Sequence, residues 1–257
     1  MLSSRCGLVL LALAALAACS SVQTDDAGLT ATPWAIASSR TVHTSPWQHH
    51  TFPGKQPTQF TYTRKDGRDA VVAVAASSAS MLRQKVRIES ADLGHVRFSW
   101  RVPELIAQAD MALREADDSP VRVVLAFEGD RSRFSTKNAM MSELVHALTG
   151  EELPYATLMY VWCNQRAPGS VIASPRTDRI RTLVVESGPG GLDRWLDYER
   201  NIRADFEKTF GEAPGALVGI GIMTDTDNTR SNTQAWYGPV RLVPTAGAML
   251  PAVLAPG

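Results

Sequence analysis

Short segments in which apolar and polar residues alternate recur along most of this sequence. Residues 95–101 read H-V-R-F-S-W-R, and residues 121–127 read V-R-V-V-L-A-F. A period of two residues places alternate side chains on opposite faces of a strand, so each segment predicts a strand with one buried face. Residues 158–163, L-M-Y-V-W-C, are apolar at every position and predict a central strand that is covered on both sides.

Turn residues separate nine or ten such segments, and strands do not alternate regularly with helices. This pattern predicts a mostly β protein, folded as an antiparallel β-sandwich or jelly roll. The predicted strands cover residues 58–63, 70–76, 81–88, 96–101, 121–127, 158–163, 180–186, 218–223 and 240–243.

Two amphipathic helices are predicted to interrupt the strands. Ser135 can cap a helix whose apolar residues recur at three and four positions up to Leu148, before Gly150. Residues 192–210 repeat the same spacing, with charged residues off the apolar line. We expect this second helix to rest on the bare strand face left by the glycines of residues 218–223.

The first eighteen residues have the composition of a signal peptide. One charge, Arg5, precedes an apolar run over residues 7–18, which is too short for a bilayer that needs roughly 20 residues. Leu16-Ala17-Ala18-Cys19 resembles the bacterial lipobox, and the resemblance implies cleavage before Cys19 and lipidation of its thiol. Ordinary secretion with cleavage after Ala17 is the alternative. Both alternatives predict an exported chain.

The exported chain is expected to comprise a tether, one domain and a tail. Ser20, directly after the cysteine, is typical of lipoproteins on the periplasmic side of the outer membrane. Residues 19–32 are small and polar and predict a flexible tether to the membrane. Residues 33–243 predict a single β-sandwich domain, and the Pro- and Ala-rich residues 244–257 predict a loose tail.

The charge balance bears on the class of partner, and the cysteine content bears on disulfide bonding. Lysine and arginine number 26 and acids also number 26, and the arginines are scattered singly, so a nucleic-acid partner is not expected. Once the leader is removed, Cys163 has no second thiol apart from Cys19 with which to form a disulfide. Its position in an apolar strand predicts a buried thiol.

A polar loop, D-T-D-N-T at residues 225–229, lies between two strand-like segments. Asp225 and Asp227, together with Asn228, have oxygen ligands of the type that Ca²⁺ prefers, although the EF-hand spacing is absent. The alternative is a turn whose side chains satisfy its own backbone, with no cofactor. We therefore predict no cofactor and keep calcium as the alternative.

A second acidic stretch, Asp117 and Asp118, precedes a strand that carries Arg122. Paired carboxylates about 5 to 10 Å apart across a cleft would suit a glycan-active hydrolase, in which Asp117 or Asp118 works with Asp225 or Asp227. The better supported prediction is a salt bridge from Arg122 to Asp118 or to an aspartate of the loop, because guanidinium matches carboxylate.

Aromatic residues are numerous enough to form a sugar-stacking surface. Parity, the alternation of successive side chains between the two faces of a strand, places Trp100 and Trp162 with core residues. Trp195 falls on the apolar line of the second predicted helix. Trp236 and Tyr237, beside the polar loop, remain as candidate ligand contacts. Zinc spacing and the motifs of common nucleophiles are absent, so a non-catalytic role is favoured.

Four motifs together resemble one uncharacterised bacterial family. They are D-D-S-P-V-R-V-V-L-A-F from Asp117, L-M-Y-V-W from Leu158, W-L-D-Y-E-R-N-I-R-A-D-F-E-K-T-F-G from Trp195, and the D-T-D-N-T loop with A-W-Y-G-P-V-R-L. The chain is similar to a domain-of-unknown-function family of exported proteins, numbered in the three thousands. The resemblance implies a galactose-binding-like jelly roll, as in several carbohydrate-binding modules. The matching positions are Asp117, Asp118, Arg122, Tyr160, Trp162, Asn201, Asp205, Asp225, Asp227, Asn228 and Tyr237.

The sequence therefore predicts a lipid-anchored β-sandwich protein with a non-catalytic role in the cell envelope. Its ligand or partner surface is expected around residues 225–237, with envelope glycan or another protein as the partner. A glycan-active hydrolase and a structural protein with a calcium-stabilised loop are the alternatives.

Overall fold

The computed structural model describes residues 47–243 and residue 245. The predicted signal peptide (1–18), the lipidation site at Cys19, the tether (19–32) and the first residues of the predicted domain lie outside the described residues. The predicted tail (244–257) does as well, apart from Thr245.

Within residues 47–243 the chain forms thirteen β-strands and two α-helices. The strands are β1 (Gln48–Thr51), β2 (Gln59–Lys65), β3 (Arg68–Ala76), β4 (Ala79–Ile88), β5 (His95–Arg101), β6 (Ser119–Phe127), β7 (Ala156–Cys163), β8 (Val171–Ala173), β9 (Ile180–Ser187), β10 (Leu196–Asn201), β11 (Leu217–Asp225), β12 (Asn232–Tyr237) and β13 (Arg241–Val243). The helices are α1 (Thr136–Thr149) and α2 (Ile202–Phe210).

The strands form two sheets that pack face to face. The seven-stranded sheet has the order β1-β4-β11-β6-β7-β9-β8. The six-stranded sheet has the order β10-β5-β12-β3-β2, with β13 also paired to β5. The predicted mostly β sandwich is confirmed. The prediction of wholly antiparallel pairing is wrong at one place, because β7 and β9 are parallel and residues 164–179 supply the crossover that a parallel pair requires.

The core lies between the two sheets and contains the aromatic residues that parity placed there. Trp100 is 0% exposed and Trp162 is 1% exposed. The ring of Phe98 on β5 lies 5.6 Å from that of Tyr160 on β7, which joins the two sheets. Burial of each such side chain contributes about 1.5–3 kcal/mol to stability. The predicted buried thiol of Cys163 is also confirmed.

The second predicted helix is wrong over its first half. Residues 196–201 form β10, which pairs with β5, and α2 begins only after Asn201, whose side chain accepts a hydrogen bond from the Ala204 N–H. Trp195 therefore does not lie on a helix. Helix α2 packs near β9 and β10, with Phe206 against Phe127 at 4.7 Å between ring centroids.

The predicted contact of this helix with the glycines of β11 is therefore wrong as well. A Cβ atom at Gly221 would lie 2.9 Å from the backbone oxygen of Leu82. The close approach of the neighbouring strand β4, rather than a helix, accounts for the glycine at this position.

Helix α1 begins and ends where the sequence predicts, but its apolar side faces outward. Ser135 accepts a hydrogen bond from the Asn138 N–H, and Gly150 ends the helix in the left-handed conformation. Met140, Leu144 and Leu148 are 65%, 60% and 69% exposed. The buried positions are Asn138 and Ser142, because these polar side chains hydrogen-bond the loops beneath the helix. In the part of the chain that the structure describes, neither helix is long and apolar enough to cross a bilayer.

Candidate functional site

The two acidic stretches predicted from the sequence meet at one end of the seven-stranded sheet. We call this set the acidic corner; it consists of Asp117, Asp118, Arg122, Asp225, Asp227 and Asn228. Arg122 lies at its centre, on β6, and its Nε and Nη2 donate to the two carboxylate oxygens of Asp225 at 2.9 and 3.1 Å. Nη2 also donates to Asp117 at 3.0 Å. The predicted salt bridge from Arg122 to the loop is confirmed, with Asp225 as its partner.

The other two aspartates of the acidic corner are also bound. Asp118, which is 0% exposed, accepts from the backbone N–H of Asn228 at 3.2 Å and of Thr229 at 2.7 Å. It also accepts from the Asn228 amide at 2.9 Å and the Thr229 hydroxyl at 2.6 Å. Asp227 forms an ion pair with Lys55. The D-T-D-N-T loop is therefore a closed turn whose backbone and side chains are held by Asp118, a residue outside the loop.

Burial is the largest influence on the pKa values of Asp225 and Arg122. Burial raises the pKa of Asp225 to about 7, although the charge and hydrogen bonds of Arg122 oppose that shift. Burial disfavours the charged form of Arg122, but the attraction of Asp225 and Asp117 outweighs it and raises the arginine pKa. Arg122 therefore stays charged and holds the end of β11 to the start of β6.

The acidic corner fits a calcium ion poorly. Carboxylate oxygens of Asp118, Asp225 and Asp227 lie within 4.8 Å of one another, which is close enough to share a cation. However, Arg122 occupies both oxygens of Asp225, four donors occupy those of Asp118, and Lys55 binds Asp227. An added cation would have to displace these donors and lie beside a fixed guanidinium. Calcium at Asp225 and Asp227 stays a prediction without support from this donor set.

The geometry gives the hydrolase alternative no support either. Asp118 is 0% exposed and Asp225 is 3% exposed, so a glycosidic bond has no access to either carboxylate. Asp117 and Asp227 are partly exposed, but Arg122 and Lys55 bind them. Hydrolysis requires two carboxylates on either side of the bond that is cleaved. In the acidic corner the carboxylates instead face an arginine and backbone amides.

Of the two predicted aromatic contacts, Tyr237 is a core residue and Trp236 is not. Tyr237 is 0% exposed, and its hydroxyl accepts from the Arg122 N–H at 3.1 Å and bonds the Thr224 hydroxyl at 2.8 Å. Burial raises the pKa of Tyr237. Trp236 is the preceding residue of β12, so its side chain lies on the opposite face, where it is half-buried.

Trp236 marks a second surface, the outer face of the six-stranded sheet. We call it the outer sheet face. On β5, Val96, Phe98 and Trp100 point into the core, so Arg97, Ser99 and Arg101 point outward. Direct cross-strand partners share a face, which adds the following residues. They are Trp236 opposite Arg101, Asp197 opposite Ser99, and Glu199 and Arg241 on either side of Arg97.

A cleft of 560 Å³ lies on the outer sheet face. Two ion pairs line it: Arg68 binds both oxygens of Asp197 at 2.8 and 3.0 Å, and Arg97 binds Glu199 at 2.9 Å. Hydrogen bonding to Arg97 lowers the pKa of Glu199, so this carboxylate is ionised. The cleft therefore presents guanidinium donors next to carboxylate acceptors.

Two tryptophans lie on cations at this end of the molecule, and Trp195 is the one that contacts an arginine of the cleft. The guanidinium of Arg68 lies 5.4 Å from the ring centroid of Trp195. Lys65 and Arg101 lie 4.8 and 5.3 Å from that of Trp236. Gly238 lets the chain approach β5 closely, because a Cβ atom there would lie 2.1 Å from the Ser99 hydroxyl oxygen. The result is a concave polar surface with apolar rings beside it.

Sequence reasoning missed most of the outer sheet face. Trp195 was placed on a helix, and the roles of Arg68, Asp197 and Glu199 depend on pairings between distant parts of the chain. The alternation within residues 95–101, which directs Arg97 and Arg101 outward, was the signal in the sequence that could have indicated this face. Several positions shared with the resembling family are structural: Tyr160 donates to Asp205 at 3.0 Å, and Arg200 also binds Asp205.

Comparison with known proteins gives no assigned function. No curated protein matches the chain. Among solved structures, the xyloglucanase domain of NopAA from Sinorhizobium fredii is 9% identical, with a TM-score of 0.38, covering 77% of this chain and 93% of that one. Endoglucanase 3 of family GH12 from Trichoderma harzianum is 7% identical (TM-score 0.39; 76% and 88% covered), and the family 11 xylanase of Neocallimastix patriciarum is 10% identical (TM-score 0.33; 77% and 100% covered). These scores are too low to establish a common fold.

In contrast to the structural matches, the family of this chain is established by a sequence profile. A profile described as a protein of unknown function, DUF3047, matches residues 45–241, which includes strands β1 to β12 and the D-T-D-N-T loop. The sequence expectation of an uncharacterised family numbered in the three thousands is confirmed. This chain belongs to the DUF3047 family.

Proposed function

We propose that this protein is a lipid-anchored, periplasmic component of the outer membrane that binds envelope glycan without cleaving it. The cleft on the outer sheet face is the observation that carries this proposal. The galactose-binding-like jelly roll remains part of the proposal, supported by the two packed sheets. The binding surface is moved from the D-T-D-N-T loop to the outer sheet face, because the loop's carboxylates are already bound.

The chemistry of the cleft suits a saccharide. Sugar hydroxyls both donate and accept hydrogen bonds, and the Arg68–Asp197 and Arg97–Glu199 pairs present donors next to acceptors. Trp195 supplies an apolar surface next to these pairs. The cleft's 560 Å³ lies within the range of about 300–1,000 Å³ that is usual for small-ligand sites.

The same cleft argues for binding without catalysis. Asp197 and Glu199 both point outward from β10. They are the carboxylates on this face that would have to act as a hydrolytic pair. A general acid needs a raised pKa, whereas Arg97 lowers that of Glu199. Arg68 binds both oxygens of Asp197. Glu199 is therefore held as an ionised acceptor, and both oxygens of Asp197 are already bound.

Co-sedimentation with purified envelope glycan, such as peptidoglycan sacculi, tests the binding proposal. We expect the wild-type chain to bind, and Trp195→Ala and Trp236→Ala each to weaken binding by about tenfold, as for the central residues of other interfaces. Met140→Ala changes an exposed side chain on α1 and is the matched control. Retention of full affinity by both tryptophan variants would remove the proposed site, and failure of the wild type to bind would remove the function.

Labelling with a radioactive fatty acid tests the anchor. We expect the wild-type chain to be labelled and to fractionate with the outer membrane. The Cys19→Ser variant should lose the label and be released. A labelled Cys19→Ser chain, or an unlabelled wild type, would contradict the anchor and favour ordinary secretion.

A further inference from the structure

We infer that the glycan bound at the outer sheet face is acidic, with carboxylate groups on its sugars. This inference rests on the proposed function and adds the substrate class to it. It is argued from the charges of the outer sheet face that have no partner, from their register in the sheet and from the cleft that contains them.

The acids of the outer sheet face are all paired, but two of its cations are not. Each of the four carboxylates on this face or in the loops beside it lies within 4.0 Å of an arginine nitrogen. The pairs are Asp197 with Arg68, Glu199 with Arg97, and both Asp66 and Asp193 with Arg101. Within residues 47–243, Lys65 and Arg241 form no ion pair. The face therefore has an excess of positive charge on a chain that is neutral as a whole.

The register of β13 places one of these cations beside another. Arg241 lies directly opposite Arg97 on β5, and like charges in directly opposite positions are destabilising. Arg97 uses its Nε to bind Glu199, and its two terminal nitrogens have no partner among the described residues. Arg97 and Arg241 are thus cross-strand neighbours on the outer sheet face, each with donors left over.

A second carboxylate is the group that this pair of arginines lacks, because Glu199 balances only one of the two charges. One carboxylate between Arg97 and Arg241 would accept from both guanidinium groups and offset their repulsion, whereas a neutral hydroxyl would leave the repulsion in place. Arg97 and Arg241 both line the 560 Å³ cleft with Arg68, next to the apolar ring of Pro239. A charge in this partly enclosed site is screened less than on an open surface.

Calorimetry with two matched probes tests the inference. Oligogalacturonate carries a carboxylate on every sugar, and its methyl ester has the same sugars without the charge. We expect the wild-type chain to bind the acid about fivefold or more tightly than the ester at an ionic strength of about 0.01 M. This preference should largely disappear at about 1 M.

Variants locate the effect. Arg241→Gln should weaken binding of the acid by about fivefold and change that of the ester by less than about twofold. Arg114→Gln is the control, since Arg114 is an exposed arginine in the β5–β6 connection, away from the outer sheet face. Equal affinity for acid and ester, or an unchanged Arg241→Gln variant, would overturn the inference.

The outcomes also separate the inference from the proposed function. If both probes bind equally and Trp195→Ala weakens both, glycan binding stands and the acidic preference is wrong. If neither probe binds while envelope glycan still does, the carboxylate inference is again wrong. If no glycan binds at all, the proposed function fails with it.

Discussion

Replacement of Arg122 by methionine should destabilise the fold strongly. Arg122 is 3% exposed and binds Asp225, which is also 3% exposed, through two hydrogen bonds of 2.9 and 3.1 Å. Methionine fills a similar volume but carries no charge. The variant therefore leaves the carboxylate of Asp225 buried, with the Ser119 N–H as its remaining donor.

The expected decrease in the free energy of unfolding follows from that uncompensated charge. Removing one partner of a buried pair typically costs about 3–5 kcal/mol. Asp225 can reduce the cost by taking up a proton, since burial already raises its pKa to about 7. We therefore expect a loss of about 3 kcal/mol at pH 8, and a smaller loss at pH 5, where the carboxyl is neutral.

Urea titration measures this loss as a lower midpoint at an unchanged slope. Arg114→Met, at an exposed site, should stay within about 0.5 kcal/mol of the wild type. The double variant Arg122→Met, Asp225→Leu should be more stable than Arg122→Met alone, because an apolar pair replaces the isolated charge. A loss below about 1 kcal/mol for Arg122→Met at pH 8 would refute the structural role assigned to the acidic corner.

Three further predictions concern the same end of the sandwich. Asp118→Asn replaces an acceptor of four hydrogen bonds by a group with two donors of its own, so thermal melting should show a loss of about 2 kcal/mol; a change under about 0.5 kcal/mol would contradict the closed turn. Because the corner's carboxylates are bound by protein donors, a chelator should leave the melting temperature unchanged, and a clear rise with added Ca²⁺ would reinstate the calcium prediction. Burial, and next the charge of Arg83, lower the pKa of His50 below 6.5. The folded state thus binds fewer protons than the unfolded chain, so His50 should reduce stability as the pH falls below about 6.5, and His50→Gln should flatten the stability profile there unless this account is wrong.

The strands were predictable where parity alone decides which side chains are buried. Trp100 and Trp162 lie in the core because their strands alternate, and this needs no knowledge of the partner strand. A salt bridge from Arg122 to Asp118 or to an aspartate of the loop was predictable from chemistry, since a guanidinium within an apolar strand needs a carboxylate; the structure selects Asp225. That these two residues are 103 positions apart in the chain did not obscure it.

The prediction of the second helix was wrong over residues 192–201 because the helical period and the strand period both fit this segment. Leu192 and Leu196 fit the helical spacing of α2, but residues 196–201 also alternate between half-buried and exposed, as a strand requires. Pairing with β5 decides for the strand, and that contact is not visible locally. Asn201 was the missed boundary signal, because it caps α2.

The outer sheet face could not be derived for a related reason. Arg97 and Arg241 are predictable as outward residues, but their adjacency depends on the register between β5 and β13. The sequence instead drew attention to the D-T-D-N-T loop, where acidic residues are dense. Asp225 is buried and bonded in this loop, and the buried Asp118 binds the loop from outside it, so the density of polar residues reflects a closed turn.

A titration of the ¹⁵N-labelled chain with the glycan it binds, followed by NMR, tests the location of the site most directly. We predict that the indole N–H signals of Trp195 and Trp236 shift together with the amide signals of β5 and β10. The indole signals of the buried Trp100 and Trp162 should serve as internal references. Shifts confined to residues 225–229 and to Asp117 and Asp118, with Trp195 and Trp236 unchanged, would contradict the assignment of binding to the outer sheet face.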